Sequence, residues 1–325
     1  MADRNNRKLK LVIPKGSLED GTLRLFEDAE YEIRGAERSY RPWINDPEIE
    51  LKVLRPQEIP SYVADGSHDL GISGYDWMLE TKADVEELSD LKYGDVRIVL
   101  AVPEKWRDVK SFDDLMRKFW KRGLRIATEY LVIGEKYVSK SPFYKRKTKE
   151  DPLVVTPWYT AGNCKNVRLV LSFGATEAKP PEDADAIIEN TTTGQTIGDN
   201  KLKIVDTVLD YSTARLIANR KALADPFKGG KMREVQTALE DVVRDRESLH
   251  IFANVSVARL REVIEILPAR KNVSVAQMSP DQEWVQVNTF VPRDEYRAIR
   301  RKLEELGVED ITHYRPGEMP GKLIL

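Results

Sequence analysis

Near its start the chain repeats one pattern three times: a short apolar run, a loop marked by Gly or Pro, then apolar residues at helical spacing. The runs are Leu9–Ile13, Ile49–Leu54 and Asp69–Ser73. Pro14-Lys15-Gly16-Ser17 follows the first and leads into Leu18, Leu25, Phe26 and Ala29. Arg55-Pro56 follows the second and leads into Ile59, Tyr62 and Val63. Gly74-Tyr75-Asp76 follows the third, before a helix over Trp77–Glu80. Strand–loop–helix in series predicts an α/β fold with a parallel sheet and helices on its faces. Such sheets take ligands at the carboxyl ends of their strands. That rule makes candidates of Lys15, Arg55 and the Gly71–Asp76 turn, each at or just after a predicted strand end.

The middle of the chain continues in the same style. Val96–Val102 is a fully apolar strand and reads as a crossover. Phe112, Leu115, Met116 and Phe119 mark an amphipathic helix, and Leu124–Tyr130 and Val167–Phe173 are strands running into loops. Lys140–Lys149 is a basic run, expected to be a solvated loop rather than a nucleic-acid patch. Leu202–Leu209 and Ala214–Asn219 read as strand-like returns.

One stretch carries more chemistry than the rest, Ala184–Asn200, with sequence ADAIIENTTTGQTIGDN. A short buried strand with acids at Asp185 and Glu189 breaks into Thr191-Thr192-Thr193-Gly194-Gln195-Thr196. Hydroxyls and backbone N–H groups around a glycine can cradle an anion. The same residues also suit a Thr-rich turn capping a helix. There is no GxxxxGK[ST] motif. The two acids could hold the hydroxyls of a sugar, so a phosphorylated sugar is the ligand this window suggests.

Asp225-Pro226-Phe227-Lys228-Gly229-Gly230 reads as a linker. Beyond it, after an amphipathic helix through Met232, Val235, Leu239 and Val243, come strand Leu249–Val255, helix Leu260–Leu267, strands Val273–Met278 and Trp284–Val291, a helix through Tyr296, Ile299 and Leu303, and strand Asp310–Tyr314. The order βαββαβ is the ferredoxin-like unit. By fold analogy, such a domain appended to an enzyme senses an effector.

Composition narrows the classes. With 325 residues and 41% hydrophobic residues, the chain can form two or three domains with sizeable cores. A formal net charge of −2 gives no overall nucleic-acid footprint. The single cysteine, Cys164, excludes an internal disulfide and a cysteine-built zinc site. The three histidines, His68, His250 and His313, lie far apart in sequence. No apolar run approaches transmembrane length, and a cytoplasmic protein is expected.

Six segments, in order, resemble the long form of the ATP phosphoribosyltransferase family. They are Ile13-Pro14-Lys15-Gly16; Leu54-Arg55-Pro56-Gln57-Glu58-Ile59-Pro60 with Tyr62-Val63; Asp69-Leu70-Gly71-Ile72-Ser73-Gly74; Ile126-Ala127-Thr128-Glu129-Tyr130; Ala184–Glu189 running into Thr193-Gly194-Gln195-Thr196; and Arg215-Leu216-Ile217-Ala218-Asn219. Pro268 and Trp284 resemble residues of the family's regulatory domain. The chain departs from the family at Gln195, where Thr is usual, at Ser17, where Arg is common, and at Asn272-Val273-Ser274-Val275, where Pro-Thr-Val is usual. Tyr137–Asn166 is expanded relative to the family.

The resemblance implies a two-lobed catalytic core like a periplasmic binding protein, with lobe I from 1–103 and 206–225, lobe II from 104–205, and a ferredoxin-like regulatory domain over 229–325. It implies that ATP and phosphoribosyl pyrophosphate (PRPP) react at N1 of adenine to release pyrophosphate, with Mg2+ held mainly through substrate phosphates rather than by a set of protein ligands. Under it, Thr192, Thr193, Gly194, Gln195, Thr196 and Lys15 bind PRPP. Asp185 and Glu189 are catalytic and face the ribose. Arg55, Asp69, Leu70, Gly71, Ser73 and Gly74 bind ATP. Histidine is the expected inhibitor, with Ala253, Asn254 and Ser274 as its contacts, in a hexamer with a dimer as the other state. Competing readings are a two-lobed ligand-binding sensor without catalysis and a phosphoribosyltransferase of different base specificity.

Overall fold

The computed structural model describes residues 7–268, 273–277 and 283–314. The chain divides into two compact units, Met1–Gln236 and Thr237–Leu325. The first unit opens with β1 (Leu9–Pro14), α1 (Glu19–Asp28), the small pair β2 (Ile33–Arg34) and β3 (Trp43–Ile44), β4 (Ile49–Leu54), α2 (Ile59–Ala64), β5 (Leu70–Gly74), α3 (Tyr75–Thr81) and β6 (Glu86–Asp90). It continues with β7 (Val96–Pro103), α4 (Phe112–Phe119), β8 (Leu124–Thr128), α5 (Leu131–Lys140), α6 (Pro142–Lys147), β9 (Pro152–Val155), β10 (Thr160–Ala161), β11 (Cys164–Leu171), β12 (Ala186–Thr191), α7 (Gln195–Asp199) and β13 (Leu202–Ser212). Then come β14 (Ala214–Ala218), α8 (Arg220–Ala224) and α9 (Pro226–Glu247).

Two sheets organise this unit. The first runs β4-β1-β5-β14-β6 and the second β10-β9-β11-β8-β12-β7-β13. β1 lies parallel to β4 and β5, as the strand–loop–helix repeat predicts, whereas β14 returns antiparallel to β5 and β6. Val96–Pro103, expected to close the first lobe, instead sits between β12 and β13 in the second sheet. Its last six residues are buried, as an apolar run flanked by strands on both sides requires. β13 belongs to the same sheet, so the return to the first sheet starts at Ala214, later than the expected 206.

Two further expectations change. The basic run is not a loop: Ser141 caps α6 by accepting from Tyr144 N (3.3 Å), and Phe143 and Tyr144 join the core of the second sheet. Lys145, Arg146 and Lys147 remain solvated. The 225–230 segment is not a linker but the start of the 22-residue α9. Asp225 Oδ1 accepts from Phe227 N and Lys228 N, both at 3.0 Å, and Pro226 occupies the first turn, where no intrahelical N–H bond is lost. The division between units therefore falls within α9, past the expected start at 229.

The second unit carries β15 (Ser248–Ser256), α10 (Leu260–Ile266), β16 (Ser274–Gln277), β17 (Trp284–Pro292), α11 (Tyr296–Glu305) and β18 (Glu309–Tyr314). Its strands pair antiparallel in the order β16-β17-β15-β18, the ferredoxin-like arrangement. The strict burial alternation of β15 and β17 turns one face onto a core of Val263, Ile299, Leu303 and their neighbours.

Candidate active site

The carboxyl ends of strands from both sheets of the first unit meet at a cleft of about 250 Å3. Ser17 after β1, Pro56 after β4, Gly74 at the end of β5, Asp76 on α3, and Asn190 and Thr192 at the end of β12 line it. A larger cavity, of about 720 Å3, lies among Pro103, Lys105, Arg107, Pro181 and Lys201, by the start of β13 and away from the threonine loop.

The threonine loop is preformed. Thr191 Oγ1 accepts from Gly194 N (2.8 Å) and Thr193 Oγ1 from Gln195 N (3.3 Å). Gly194 has φ +83°, left-handed backbone that glycine adopts without strain, and it is the residue that caps α7. Thr192, Thr193, Gln195 and Thr196 are exposed. Lys15 follows β1, with Nζ 3.3 Å from Glu19 Oε1 and over the Tyr40 ring. Arg55 follows β4, close enough to Gly16 that an added Cβ there would stand 3.4 Å from its Nη1. Ser73 is buried and donates to Pro56 O (2.7 Å), fixing the turn that carries Arg55.

Glu189 lies near the carboxyl end of β12. Burial pushes its carboxyl up to about 7, reinforced by Glu129 and Glu177, while a hydrogen bond from Thr176 opposes the shift. The other predicted acid is elsewhere. Asp185 precedes β12 and so sits at its amino end. It is fully buried and held by Arg122 Nη2 (2.5 Å), Arg125 N (2.9 Å) and the Arg125 guanidinium (3.3 Å). This is a structural ion-pair cluster and does not face the cleft. Asp69 is likewise at an amino end, that of β5, accepting from Lys10 N (2.9 Å) and Lys228 Nζ (2.7 Å). Leu70 and Gly71 are buried within the sheet; a Cβ on Gly71 would lie 2.8 Å from Ile59 and Val63 of α2, so this glycine serves packing rather than ligand contact.

Sequence reasoning picked out the Gly71–Asp76 turn but not the buried polar pair that Asp76 forms with Tyr130 at the wall of the cleft. Tyr130 stacks on Trp77 (centroids 4.6 Å apart), and its hydroxyl donates to Asp76 Oδ2 (2.8 Å). Asp76 Oδ1 accepts from Ser212 Oγ (2.7 Å). Asp76 stands two residues past Gly74 in a turn already picked out as a candidate, and that position was the available signal.

In the second unit, Ala253 points into the core, whereas Asn254 and Ser274 lie on the other face of the sheet. Asn254 Nδ2 donates to Asp310 Oδ2 (3.0 Å). The three predicted effector contacts therefore do not share one surface.

Two open α/β sheets with a cleft at their strand ends define the two-lobed, periplasmic-binding-protein-like class. The ATP phosphoribosyltransferase family model matches residues 55–241, and the HisG C-terminal domain model matches residues 246–315. An ATP phosphoribosyltransferase of Solibacter usitatus is 38% identical over 311 residues, covering 94% of this chain and 97% of the relative. One from Chlorobium luteolum is 37% identical over 315 residues, covering 95% and 97%. Among solved structures, the ATP phosphoribosyl transferase (HisG:HisZ) complex from Thermotoga maritima shares the fold, with a TM-score of 0.55 and 23% identity over 72% of this chain and 98% of that one. The chain belongs to the ATP phosphoribosyltransferase family. It is an enzyme, a pentosyltransferase joining ATP and PRPP in histidine biosynthesis. No helix among the described residues is long and apolar enough to cross a membrane.

Proposed function

We propose that the Thr192–Thr196 loop holds the 5-phosphate of PRPP and that transfer to N1 of adenine takes place in the adjoining cleft. The observation carrying this reading is the preformed loop at the carboxyl end of β12: Gly194 in the left-handed region, with its N–H held by Thr191. A phosphate there meets exposed hydroxyls and the start of α7. Gln195 stands where the family usually has Thr; a hydroxyl contact is lost with that change, whereas its backbone N–H, which meets Thr193 Oγ1 at a long 3.3 Å, can turn to the phosphate. Lys15 and Arg55 face the pyrophosphate, and Arg55 and Gly74 form the ATP side, with Ser73 fixing the turn beneath them. N1 of adenine carries its own lone pair, so the protein's task is positioning and charge placement. The Glu189 carboxylate, on the ribose side, stabilises positive charge developing at the anomeric carbon.

Mg2+, held mainly through substrate phosphates, would supply charge neutralisation to the departing pyrophosphate. Glu129 and Glu177 disfavour charge on Glu189, and a cation bound with substrate would offset that. Histidine acts on the second unit, with Asn254 and Ser274 as contacts in a cytoplasmic hexamer or dimer. The lobes of the first unit follow its two sheets.

Gly194→Val tests the loop. A β-branched residue at φ +83° is strained, and its Cβ would stand 3.3 Å from Ile204 Cδ1. The variant is expected to stay folded and to lose PRPP binding in equilibrium titration; unchanged affinity refutes the assignment. Pyrophosphate release with ATP but not with adenine separates this reading from other base specificities.

A further inference from the structure

We propose that Asn190 presents its side-chain oxygen to a ribose hydroxyl of PRPP and that Tyr130 is the positioning residue that holds it there. The inference rests on the reading of the cleft as the PRPP site. Its basis is the polarity of one chain of hydrogen bonds. The Asp76 side chain, 4% exposed, accepts a hydrogen bond from the Tyr130 hydroxyl at 2.8 Å. The Tyr130 oxygen is thereby left as an acceptor, and Asn190 Nδ2 donates to it at 2.9 Å. The second hydrogen of the same Nδ2 goes to Glu189 Oε1 at 3.2 Å. Both amide hydrogens are thus directed at internal acceptors, which settles the amide's orientation. Oδ1 bonds no described residue and belongs to an exposed side chain lining the cleft, directly before the threonine loop. A free acceptor beside a sugar phosphate site suits a hydroxyl donor and disfavours an anion.

Tyr130 cannot take this role itself, because its ring is fully buried. It is fixed from several sides. Trp77 stacks on the ring, and Asp76 is also held by Ser212, whose Oγ accepts from Asp76 N (2.9 Å). One turn further along α3, Glu80 accepts from Val132 N and Ile133 N, both at 2.9 Å, and so caps the start of α5 just after Tyr130. Asp76 and Glu80 are four residues apart on one helix face. The first sheet's helix α3 therefore grips the second sheet's α5 at two points, and the grip ends on Asn190 and Glu189.

The test is steady-state kinetics of Asn190→Ala, Tyr130→Phe and the double variant in the full chain, with the thermal midpoint of each. Each single change is expected to raise the KM for PRPP about tenfold, the scale of one hydrogen bond lost at a polar site. The KM for ATP should stay within about twofold, and the double variant should be no worse than the poorer single, because both act through one contact. An unchanged PRPP KM in Tyr130→Phe overturns the proposal, as does additivity in the double variant. A lowered midpoint with both KM values rising together also overturns it, since that marks a structural role alone. Gly194→Val run alongside separates the two readings. If it loses PRPP while Tyr130→Phe does not, the loop assignment stands and this inference fails; if it binds PRPP normally, the loop assignment fails on its own.

Discussion

Asp185 and Glu189 flank the same apolar run, yet the fold gives them opposite work. Asp185 and Glu189 stand four residues apart, roughly 13 Å along the strand, and Asp185 is fully buried among its arginines, so the two acids do not face the same group. Asp185 holds two arginines at the amino end, whereas Glu189 stands beside the loop. Asp185→Asn is expected to destabilise the protein by about 2 kcal/mol, the scale of a charged hydrogen bond lost, because Arg122 and Arg125 can still turn to water. Urea unfolding should show this, with little change in the KM for PRPP. Glu189 makes the opposite prediction. With its carboxyl raised to about 7, it gains its charge as pH rises through that value, so kcat/KM for PRPP should climb with pH near 7. Glu189→Gln should be slower and should lose that limb of the pH profile. The stability sign is also fixed. Between the ordinary carboxylate range and about 7 the folded chain holds a proton that the unfolded chain releases, so this group's contribution falls as pH rises across that window. Both acids were visible in the sequence. The strand direction that separates them was visible too, and the carboxyl-end rule, applied strictly, also removes Asp69 from the ligand's reach.

The elements themselves were largely legible, because period and punctuation determine them locally. The strand–loop–helix opening and the βαββαβ close both appear where expected. What stayed hidden was partnership across long sequence distances. The apolar content of Val96–Pro103 announces a central strand but not its sheet, since the same residues could be covered by either set of neighbours. The Asp225-Pro226 pair signals a helix start as readily as a linker, and only the two N–H bonds to Asp225 decide between them. Gly71 lay within a family motif and resembled a ligand-contacting glycine, yet its missing Cβ is what lets α2 lie on β5. Gly71→Ala is expected to destabilise by about 1–3 kcal/mol through overpacking, read as a lower urea midpoint at unchanged slope. Activity of the remaining folded protein should be close to normal.

At the scale of the whole molecule, each unit has its own core, and among the described residues the buried core of the second runs from Leu249 to Val308, with Ile311 packed against it. Hydrogen exchange on the native full chain is therefore expected to separate into two protection groups, with β15 and β17 exchanging together and independently of β1 and β5. A single common opening energy would contradict this. The first unit has a further property in its connectivity. β5 and β6 do not pair with each other; both pair with β14, which comes after the entire second sheet, and Asp76 bonds Ser212, 136 residues away. On the ribosome, this order has a consequence. While the nascent chain is still short of Ala214, the first sheet lacks the strand that joins β5 to β6, whereas every strand of the second sheet has already been made. The inserted lobe can fold first, and the lobe that began the chain must wait, with open edges on β5 and β6, for the strand that closes it.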